Sequence, residues 1–150
     1  MSRKRIELLF KKVAGAEDLP LPCYMTAGSS GMDLQAAVEG SKIIKPGEIS
    51  IIPTGLMIAV PTGYELQIRP RSGLAAKHGI GILNSPGTID SDYRGEIKVI
   101  LINLGQEPFK VARNDRIAQM VLCHVPQAVL IETDELPSTE RNGGGFGHTG

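Results

Sequence analysis

The sequence predicts an all-β protein, an antiparallel β-sandwich or barrel of jelly-roll type with one short helix. Short β-type runs recur along the chain, and Pro-Gly, Pro-Thr-Gly and Asn-Ser-Pro-Gly segments separate them. The 18 glycines and 10 prolines, with no tryptophan, describe a chain of many turns and few long helices. Strands this short and this evenly spaced are typical of sandwiches and of jelly rolls.

The strands are predicted from alternating apolar residues and from the turn residues between them. The first lies near residues 6–10, where Ile6, Leu8 and Phe10 share one face. Residues 13–31 are rich in turn formers and are expected to be irregular. Further strands are predicted over residues 41–45, 48–53, 56–60, 64–69, 81–84, 96–104, 109–111, 117–124 and 128–132.

The strand segment 99–102, Val-Ile-Leu-Ile, is apolar on both of its faces. In a small antiparallel domain one face of a sheet is usually solvated. Either a neighbouring subunit covers the second face, which would make the protein an oligomer, or this is an inner sandwich strand under a loop.

Composition and charge exclude several classes of function. The chain of 150 residues is expected to form one domain, and its 16 basic and 16 acidic residues cancel, which argues against a nucleic-acid polymer or an anionic membrane as partner. No apolar run approaches the roughly 18 residues of a membrane span. Glu7, Lys11 and Lys12 interrupt the apolar stretch after the basic N-terminus, so no signal peptide is expected. Cys23 and Cys123 lack paired spacing and are interpreted as reduced thiols, which predicts a cytoplasmic protein.

The one helix is predicted over residues 72–79, with Ser72 capping its start and Gly79 ending it. Arg69-Pro-Arg-Ser-Gly73 lies at this start, where unpaired N–H groups and the helix dipole attract anions. Arg71 adds a guanidinium fork suited to phosphate oxygens, Ser72 adds a hydroxyl donor, and Gly73 lets the backbone approach closely. The alternative is an ordinary helix start with a solvated arginine.

Residues 84–98 form a second candidate site. Two β-type stretches flank residues 90–95, Asp-Ser-Asp-Tyr-Arg-Gly, which predicts a hairpin, although Asp, Ser and Gly are residues that any turn uses. Asp90 comes where a strand ends, so the scaffold would hold its carboxylate firmly. Free edge N–H and C=O groups could read a pyrimidine ring, and the donor and acceptor of Asn84 suit the mixed edge of uracil.

The last ten residues, 141–150, contain five glycines and a single apolar side chain, Phe146. Such a segment cannot build a core, because glycine loses much backbone entropy on ordering and buries no side chain. It is either a flexible terminus without a role or a cover for a ligand. Its arginine, exposed N–H groups, aromatic ring and threonine hydroxyl would close over a phosphorylated, flat-ringed molecule.

Five segments follow one another in order along nearly the whole chain. They are Ala-Gly-Ser-Ser-Gly-Met-Asp-Leu at 27–34, Arg-Ser-Gly-Leu at 71–74, Gly-Thr-Ile-Asp-Ser-Asp-Tyr-Arg-Gly at 87–95, Arg-Ile-Ala-Gln-Met at 116–120 and Arg-Asn-Gly-Gly-Gly-Phe-Gly at 141–147. Together they resemble the five motifs of trimeric dUTPases. The resemblance implies a jelly-roll-like homotrimer with a β-sandwich domain over residues 1–136, a flexible lid over residues 137–150, and active sites built from three subunits. It also implies hydrolysis of dUTP to dUMP and pyrophosphate, which limits uracil incorporation into DNA and supplies dUMP for dTMP synthesis.

The resemblance assigns roles to the residues around the predicted hairpin. Asp90 would accept a proton from the water that attacks the α-phosphorus in line, whereas Asp92 is given no role. Tyr93 would pack on the deoxyribose and leave no room for a 2′-hydroxyl. Asn84 and backbone near Thr88, Ile89, Asp90 and Lys98 would hold the uracil and the sugar, and cytosine would mismatch these hydrogen bonds.

The same resemblance implies which residues bind the phosphates and how the metal is held. Arg71, Ser72 and Gly73 would hold the phosphates, while Gln119 and Asp33 would support the phosphate and metal region through hydrogen bonds or water. The metal would be Mg²⁺, carried mainly by the triphosphate itself. Asp33 has a second interpretation, as a turn residue or as the buried partner of an arginine.

In the tail, Arg141 would reach the γ-phosphate and Phe146 would cover the uracil. Gly147, His148 and Thr149 would donate to phosphates, and closing the lid would exclude water. His148 is given no acid or base role, and His78 and His124 are interpreted as structural or surface residues.

Three other functions stay open from the sequence. A dCTP deaminase would share the fold and part of the motif pattern, and it would need a glutamate placed to act on the cytosine amine. A non-catalytic nucleotide sensor would lack the equivalent of Asp90 or of Arg141. A structural jelly-roll trimer would not need Arg71, Asp90 and Arg141 together.

Overall fold

The computed structural model describes residues 5–147, and the antiparallel β fold with one short helix is confirmed. The elements are β1 Leu9–Lys12, β2 Met32–Gln35, β3 Ser41–Ile44, β4 Ile49–Ala59, β5 Tyr64–Arg69, α1 Ser72–His78, β6 Ile80–Ile82, β7 Gly87–Ile89, β8 Glu96–Asn103, β9 Phe109–Ala112 and β10 Arg116–His124. Two four-stranded sheets have the strand orders β1-β4-β8-β6 and β2-β10-β5-β7, and β3 pairs with β9. No helix in the described part of the chain is long and apolar enough to cross a membrane.

The core lies between the two four-stranded sheets. In β8 the buried residues Ile97, Val99 and Leu101 alternate with residues that face outward. They join one apolar cluster with Leu66 of β5 and Met120 of β10, which come from the other sheet. Burying each such side chain stabilises the fold by about 1.5–3 kcal/mol relative to leaving it exposed.

The outward face of β8 is also apolar, as the pattern at residues 99–102 predicts. Ile100 and Ile102 pair with Ile51 and Ile49 of β4, and cross-strand partners share a face. Ile49 is 52% exposed and Ile51 is 56% exposed, so no loop within residues 5–147 buries this face. An inner strand under a loop is therefore not what the single chain shows.

The predicted strands 48–53 and 56–60 form one strand, β4, although Pro53-Thr-Gly55 has the composition of a turn. The chain continues because it bulges there: the register with β8 shifts between Pro53 and Met57. Gly55 has a φ of +68°, and a Cβ at this position would overlap Ala16. Glycine thus makes the bulge possible, and a turn signal in the sequence marks a bend inside a strand.

Two strand predictions were wrong at the ends of the chain. The first strand begins at Leu9 rather than near Ile6. Residues 128–132 form no strand in the described structure, and Val129, Leu130 and Ile131 are at least 83% exposed. Apolar β-branched residues favour a strand, but a strand also needs a partner for its backbone, and none lies beside this segment.

The predicted hairpin over residues 84–98 was also wrong. β7 pairs with β5 in one sheet, whereas β8 pairs with β4 and β6 in the other. Residues 90–95 therefore cross from one sheet to the other instead of turning between paired strands. This crossing separates β7 from β8 and opens a cleft between the sheets.

The helix ends as predicted but begins differently. Gly79 follows its last residue with a φ of +67°, and its N–H bonds to the carbonyl of Ala75, which confirms the predicted stop. Arg71, not Ser72, is the N-cap residue, and no side chain caps the helix. Because Arg71 is extended, its side chain can point away from the helix toward the neighbouring strands.

A charged clamp holds the irregular N-terminal segment against the sandwich. Arg113, in the turn between β9 and β10, forms an ion pair with Asp18 at 2.5 Å and donates to the carbonyl of Gly15 at 2.6 Å. Its guanidinium also reaches the carbonyls of Ala37 and Val38. The hydrogen bond from Arg113 lowers the pKa of Asp18 below its ordinary value.

Candidate active site

The cleft between the two sheets has a volume of about 280 Å³. It collects six of the sequence-predicted site residues: Asn84, Thr88, Ile89, Asp90, Tyr93 and Lys98. Apolar side chains from both sheets, including Ile68 and Val99, form its floor. Its shape and lining suit a flat ring with polar edges, because few polar groups converge over an apolar base.

The edge strand β7 forms one wall of the cleft. It pairs with β5 on one side only and is the last strand of its sheet, so its other edge keeps backbone donors and acceptors unpaired. Gly87 begins this strand, and a Cβ there would approach Ile68 to 3.2 Å and the Asn84 amide to 3.5 Å. Glycine thus lets the Asn84 side chain lie close to the strand edge.

Asp90 stands at the end of β7 and is exposed. Its carbonyl accepts the Tyr93 N–H at 3.2 Å, which fixes the backbone of the crossing segment. No other described residue forms a hydrogen bond or an ion pair with its carboxylate, so both oxygens can accept a proton or bind water. Among the described residues of the cleft this is the carboxylate best placed to act as a base.

Tyr93 is held on two sides. Its hydroxyl donates to the carbonyl of Glu96 at 2.9 Å. A Cβ at Gly95 would overlap the phenol ring, so the ring lies directly on the Gly95 backbone. Arg94 Nη1 donates to the carbonyls of Ser91 and Tyr93 at 2.7 and 2.8 Å, which further restrains the crossing segment. The ring is 42% exposed and faces the cleft as a fixed wall.

A second cluster forms around Asp33 on β2. Arg71 Nε contacts Asp33 Oδ1 at 3.1 Å, and Arg116 Nη1 contacts Asp33 Oδ2 at 3.3 Å. Arg71 Nη1 also donates to the carbonyl of Arg116 at 3.1 Å. Gln119 Nε2 donates to the carbonyl of Pro70 at 3.0 Å and so fixes the backbone just before Arg71.

A bulge in β10 brings these side chains together. Gln119 pairs with Asp33, and Arg116 pairs with Gln35, while the register shifts between Arg116 and Ala118. Cross-strand partners share a face, and so do residues two apart on one strand. Arg116 and Gln119, three residues apart, would point to opposite faces of a regular strand, so the bulge is what places both beside Asp33.

Asp33 is the partner of an arginine in the structure, as one of its two interpretations predicts, while its support of the phosphate and metal region stays a prediction. Its carboxylate faces two guanidinium groups, and its side chain is 19% exposed. Within residues 5–147 no group of three or more His, Cys, Asp or Glu side chains could hold a metal ion.

A single chain does not bring all the predicted site residues together. Ser72 and Gly73 are exposed at the start of α1, beside Arg71 and outside the cleft. Arg141 Nε donates to the Gly144 carbonyl at 2.7 Å within the tail itself. Phe146 is fully exposed and Gly147 is exposed, so neither packs on the cleft. His148 and Thr149 lie outside the described residues.

Three residues that the sequence analysis left without a role contact the predicted site residues. Glu96 lines the cleft and accepts the Tyr93 hydroxyl, Arg94 holds the crossing segment, and Arg116 shares Asp33 with Arg71. Arg94 lies within the third segment, Glu96 follows it directly and Arg116 begins the fourth, so their positions could have pointed to them. Their partners could not be read from the sequence, since each contact depends on the packing of separate strands.

Comparison with known proteins identifies one family. A sequence model described as dUTPase matches residues 17–150. The deoxyuridine 5'-triphosphate nucleotidohydrolase of Caldanaerobacter subterraneus subsp. tengcongensis is 57% identical over 145 residues, which cover 97% of this chain and 98% of that protein. The enzyme of the same name from Wolbachia pipientis subsp. Culex pipiens is 55% identical over 152 residues and covers 100% of this chain and 99% of that protein.

Solved structures show a similar fold at low sequence identity. The dUTPase of Staphylococcus bacteriophage 80alpha in complex with dUPNHPP has a TM-score of 0.82 at 24% identity, covering 96% of this chain and 98% of that chain. A mutant dUTPase from phage phi11 of S. aureus, which coordinates a structural Mg(II) ion, has a TM-score of 0.77 at 19% identity and covers 87% of this chain and 98% of that chain.

Proposed function

The chain belongs to the dUTPase family, and we propose that it hydrolyses dUTP to dUMP and pyrophosphate, with Asp90 as the base. The observation that carries this proposal is the cleft, which gathers an amide, a free strand edge, an aromatic ring and an unpaired carboxylate around an apolar floor. These are the groups needed to bind a deoxyuridine and to activate water beside its α-phosphate.

The reaction is a single displacement at the α-phosphorus. The water oxygen bonds to phosphorus while the bond to the oxygen that bridges the α- and β-phosphates breaks, and pyrophosphate leaves. The Asp90 carboxylate orients the water and accepts its proton, a role that typically contributes about 10²- to 10⁴-fold to the rate. No covalent intermediate is needed, so neither cysteine serves as a nucleophile.

Uracil and deoxyribose are recognised by different sides of the cleft. The Asn84 amide and the free edge of β7 at Thr88 and Ile89 pair with the mixed donor and acceptor edge of uracil, with backbone at Lys98 on the facing strand. Cytosine carries an amino group where uracil has O4, and one of these hydrogen bonds would be lost. The Tyr93 ring lies against the sugar and excludes a 2′-hydroxyl.

The residues clustered around Asp33 bind the phosphates. Asp33 and the Arg116 carbonyl occupy Nε and Nη1 of Arg71, which leaves Nη2 for a phosphate oxygen. Ser72 and Gly73 add a hydroxyl and a backbone N–H beside it, and Gln119 keeps this segment in place. The residues of this cluster fit a Mg²⁺ ion only when the ion is bound to the triphosphate. In that complex the ion would neutralise phosphate charge.

The active enzyme is a homotrimer with shared sites. Asp90 lies one residue past the Ile89–Leu66 pair, whereas Arg71 lies two residues past the opposite end of β5. At about 3.3 Å per residue along the strand, the backbones of Asp90 and Arg71 are roughly 20 Å apart, which is far more than the length of a triphosphate. The Arg71 of one subunit therefore serves the cleft of another, and the exposed face around Ile49 and Ile51 supplies apolar surface for the contact between subunits.

The segment 137–150 is the lid. Arg141, Phe146 and Gly147 reach the nucleotide only when they leave their present position, in which Phe146 is fully exposed, and His148 and Thr149 follow them in the chain as further phosphate donors. Covering the bound nucleotide excludes water from the phosphates and completes the set of donors. We place the enzyme in the cytoplasm, in keeping with the free thiols of Cys23 and Cys123.

Substrate selectivity tests the proposal directly. With Mg²⁺ present, pyrophosphate release is measured from dUTP, dCTP, dTTP and UTP, and ammonia is followed in the same samples. We expect fast release of pyrophosphate from dUTP alone. Ammonia from dCTP would instead identify a deaminase, and binding of dUTP without turnover would identify a nucleotide sensor; either result would contradict the proposal.

A further inference from the structure

Glu96, the first residue of β8, ties the cleft to the bulge in β4. Its Oε1 accepts the Gly55 N–H at 2.9 Å, and its side chain is only 20% exposed. Gly55 is itself fixed, because its φ of +68° and its contact with Ala16 leave no room for another residue. A hydrogen bond between a carboxylate and a backbone N–H is stronger than one between neutral groups. The Glu96 carboxylate therefore anchors the start of β8 to a rigid point of the sandwich.

The backbone carbonyl of the same residue holds Tyr93. The Tyr93 hydroxyl donates to it at 2.9 Å, and the ring rests on the Gly95 backbone between them. No other described residue accepts the hydroxyl, so the tip of the ring has a single anchor. The position of the ring thus depends on the Glu96 backbone, which is held by the bond of its carboxylate to Gly55 and by the pairing of Glu96 with Met57 in β4.

The ion pair of Glu96 with Lys98 cannot explain this arrangement. The two charged atoms are 3.9 Å apart, and the Lys98 side chain is 54% exposed. Exposed pairs at such distances contribute little, because water screens them. What the site needs from Glu96 is an acceptor oxygen at Gly55, which a glutamine could also provide.

We propose that Glu96 is a positioning residue that sets the discrimination between dUTP and UTP by holding the Tyr93 ring against the sugar, a role that rests on the proposed function. A 2′-hydroxyl is excluded only if the ring cannot retreat, and a site must hold its groups to within about 0.5 Å to act selectively. The carboxylate of Glu96 limits that retreat by holding in place the backbone carbonyl that accepts the Tyr93 hydroxyl.

The test compares kcat/KM for dUTP with kcat/KM for UTP in four variants. Glu96→Ala removes the anchor at Gly55, and we expect the dUTP/UTP ratio to fall by about fivefold to tenfold, the worth of one hydrogen bond. Tyr93→Phe removes the other link and should lower the ratio equally, and the double variant should fall no further than either single one. Glu96→Gln keeps the acceptor and should hold the ratio within about twofold of the parent.

Thr54→Val is the matched control. Thr54 Oγ1 donates to the carbonyl of Ile97, so it joins the same two strands at the same bulge without touching Tyr93. This variant should lower the melting temperature and leave the ratio unchanged. A fall in the ratio here would mean that general loosening, not Glu96, controls selectivity.

Tyr93→Ala separates failure of this inference from failure of the proposed function. If Tyr93→Ala lowers the ratio but Glu96→Ala and Tyr93→Phe do not, Glu96 has no positioning role and the function stands. If Tyr93→Ala leaves the ratio unchanged while the parent hydrolyses dUTP, this ring does not read the sugar; the inference is then wrong, and the proposed hydrolysis of dUTP stands. Because Tyr93→Phe cuts the same link from the other side, it decides the matter even if Glu96→Ala does not fold.

Discussion

Residues 90–96 and residues 137–147 both expose side chains assigned to the substrate, but the fold holds them differently. The first segment is tied at both ends to strands of different sheets, and Glu96 bonds it to the backbone of Gly55 in β4, while Arg94 and Tyr93 donate to carbonyls of the segment itself. In the described part of the second segment every hydrogen bond joins residues three apart.

The difference in how firmly the two segments are held matches their proposed roles. A base and a sugar-reading wall must be in place before the substrate arrives, because catalysis depends on groups held close to their working geometry. A cover must open and close, so it cannot be bonded to the rest of the domain. Under the proposed function, the fold would separate the fixed catalytic groups from a movable lid, and each could be altered without the other.

The largest effect is expected from the fixed segment. Asp90→Asn keeps the size of the side chain and removes its ability to accept the proton of water. Because this carboxylate has no structural partner among the described residues, the variant should fold and bind dUTP normally. We expect kcat to fall by about 10³-fold or more in single-turnover assays of pyrophosphate release.

Binding of a non-hydrolysable dUTP analogue is the control for Asp90→Asn. An unchanged dissociation constant with lost turnover assigns the residue to the chemical step. Turnover close to that of the parent would remove Asp90 as the base.

The next effect comes from the movable segment. Removing residues 141–150 deletes the predicted phosphate arginine and the predicted uracil cover, while the core loses nothing because Phe146 is fully exposed. We expect kcat/KM to fall by about 10²-fold, the scale of a lost enclosure, with the melting temperature and the oligomeric state unchanged. Sedimentation of the truncated protein as a monomer would show instead that the tail is structural.

A third site lies between these extremes, since Arg71 is held by the Arg116 carbonyl and by the Asp33 carboxylate, which Arg116 shares. Asp33→Asn leaves an acceptor but removes the charge that keeps Arg71 and Arg116 together. We expect KM for dUTP to rise by about tenfold with kcat little changed, as for the loss of a charge-assisted hydrogen bond. The matched control is Arg116→Gln, which keeps Asp33 and should raise KM less.

The Mg²⁺ dependence of the activity of the Asp33→Asn variant decides between the two interpretations of Asp33. If Asp33 orients arginines, the Mg²⁺ concentration for half-maximal activity stays that of the parent enzyme. If it binds the ion through water, that concentration rises in the variant. The second result would return Asp33 to the metal site.

The sequence predicted local structure better than it predicted partners. Strand 64–69 was predicted correctly to the residue, because alternation and turn residues are local signals. The hairpin over residues 84–98 was wrong, since adjacency along the chain cannot say that β7 and β8 belong to different sheets. The pairing of Asp33 with Arg116 depends on a bulge that has no sequence signature. Resemblance supplied the roles of Asp90 and Tyr93, and only the structure supplied what holds them.

The smallest effect is expected from the ion pair of Arg113 with Asp18, which anchors the N-terminal segment. It tests whether an anchor outside residues 90–96 stabilises the fold without affecting activity. The hydrogen bond from Arg113 holds the pKa of Asp18 below its ordinary value, so the folded state favours the charged carboxylate. The stabilisation is therefore complete above the pKa of the unfolded chain, about 4 for an aspartate, and is lost as the pH falls through the lower pKa of the folded state.

Melting temperatures of the parent and of Asp18→Asn between neutral and acidic pH measure this contribution. We expect the parent to melt slightly higher at neutral pH, because Asp18 is largely exposed and water screens the pair. The gap should close below about pH 4, once the carboxylate is protonated in both states. A gap that stays constant with pH would assign the effect to side-chain packing. Activity should be unaffected at neutral pH, because this clamp fixes a segment that carries no part of the cleft; an anchor matters to catalysis only where it holds a group that touches the substrate.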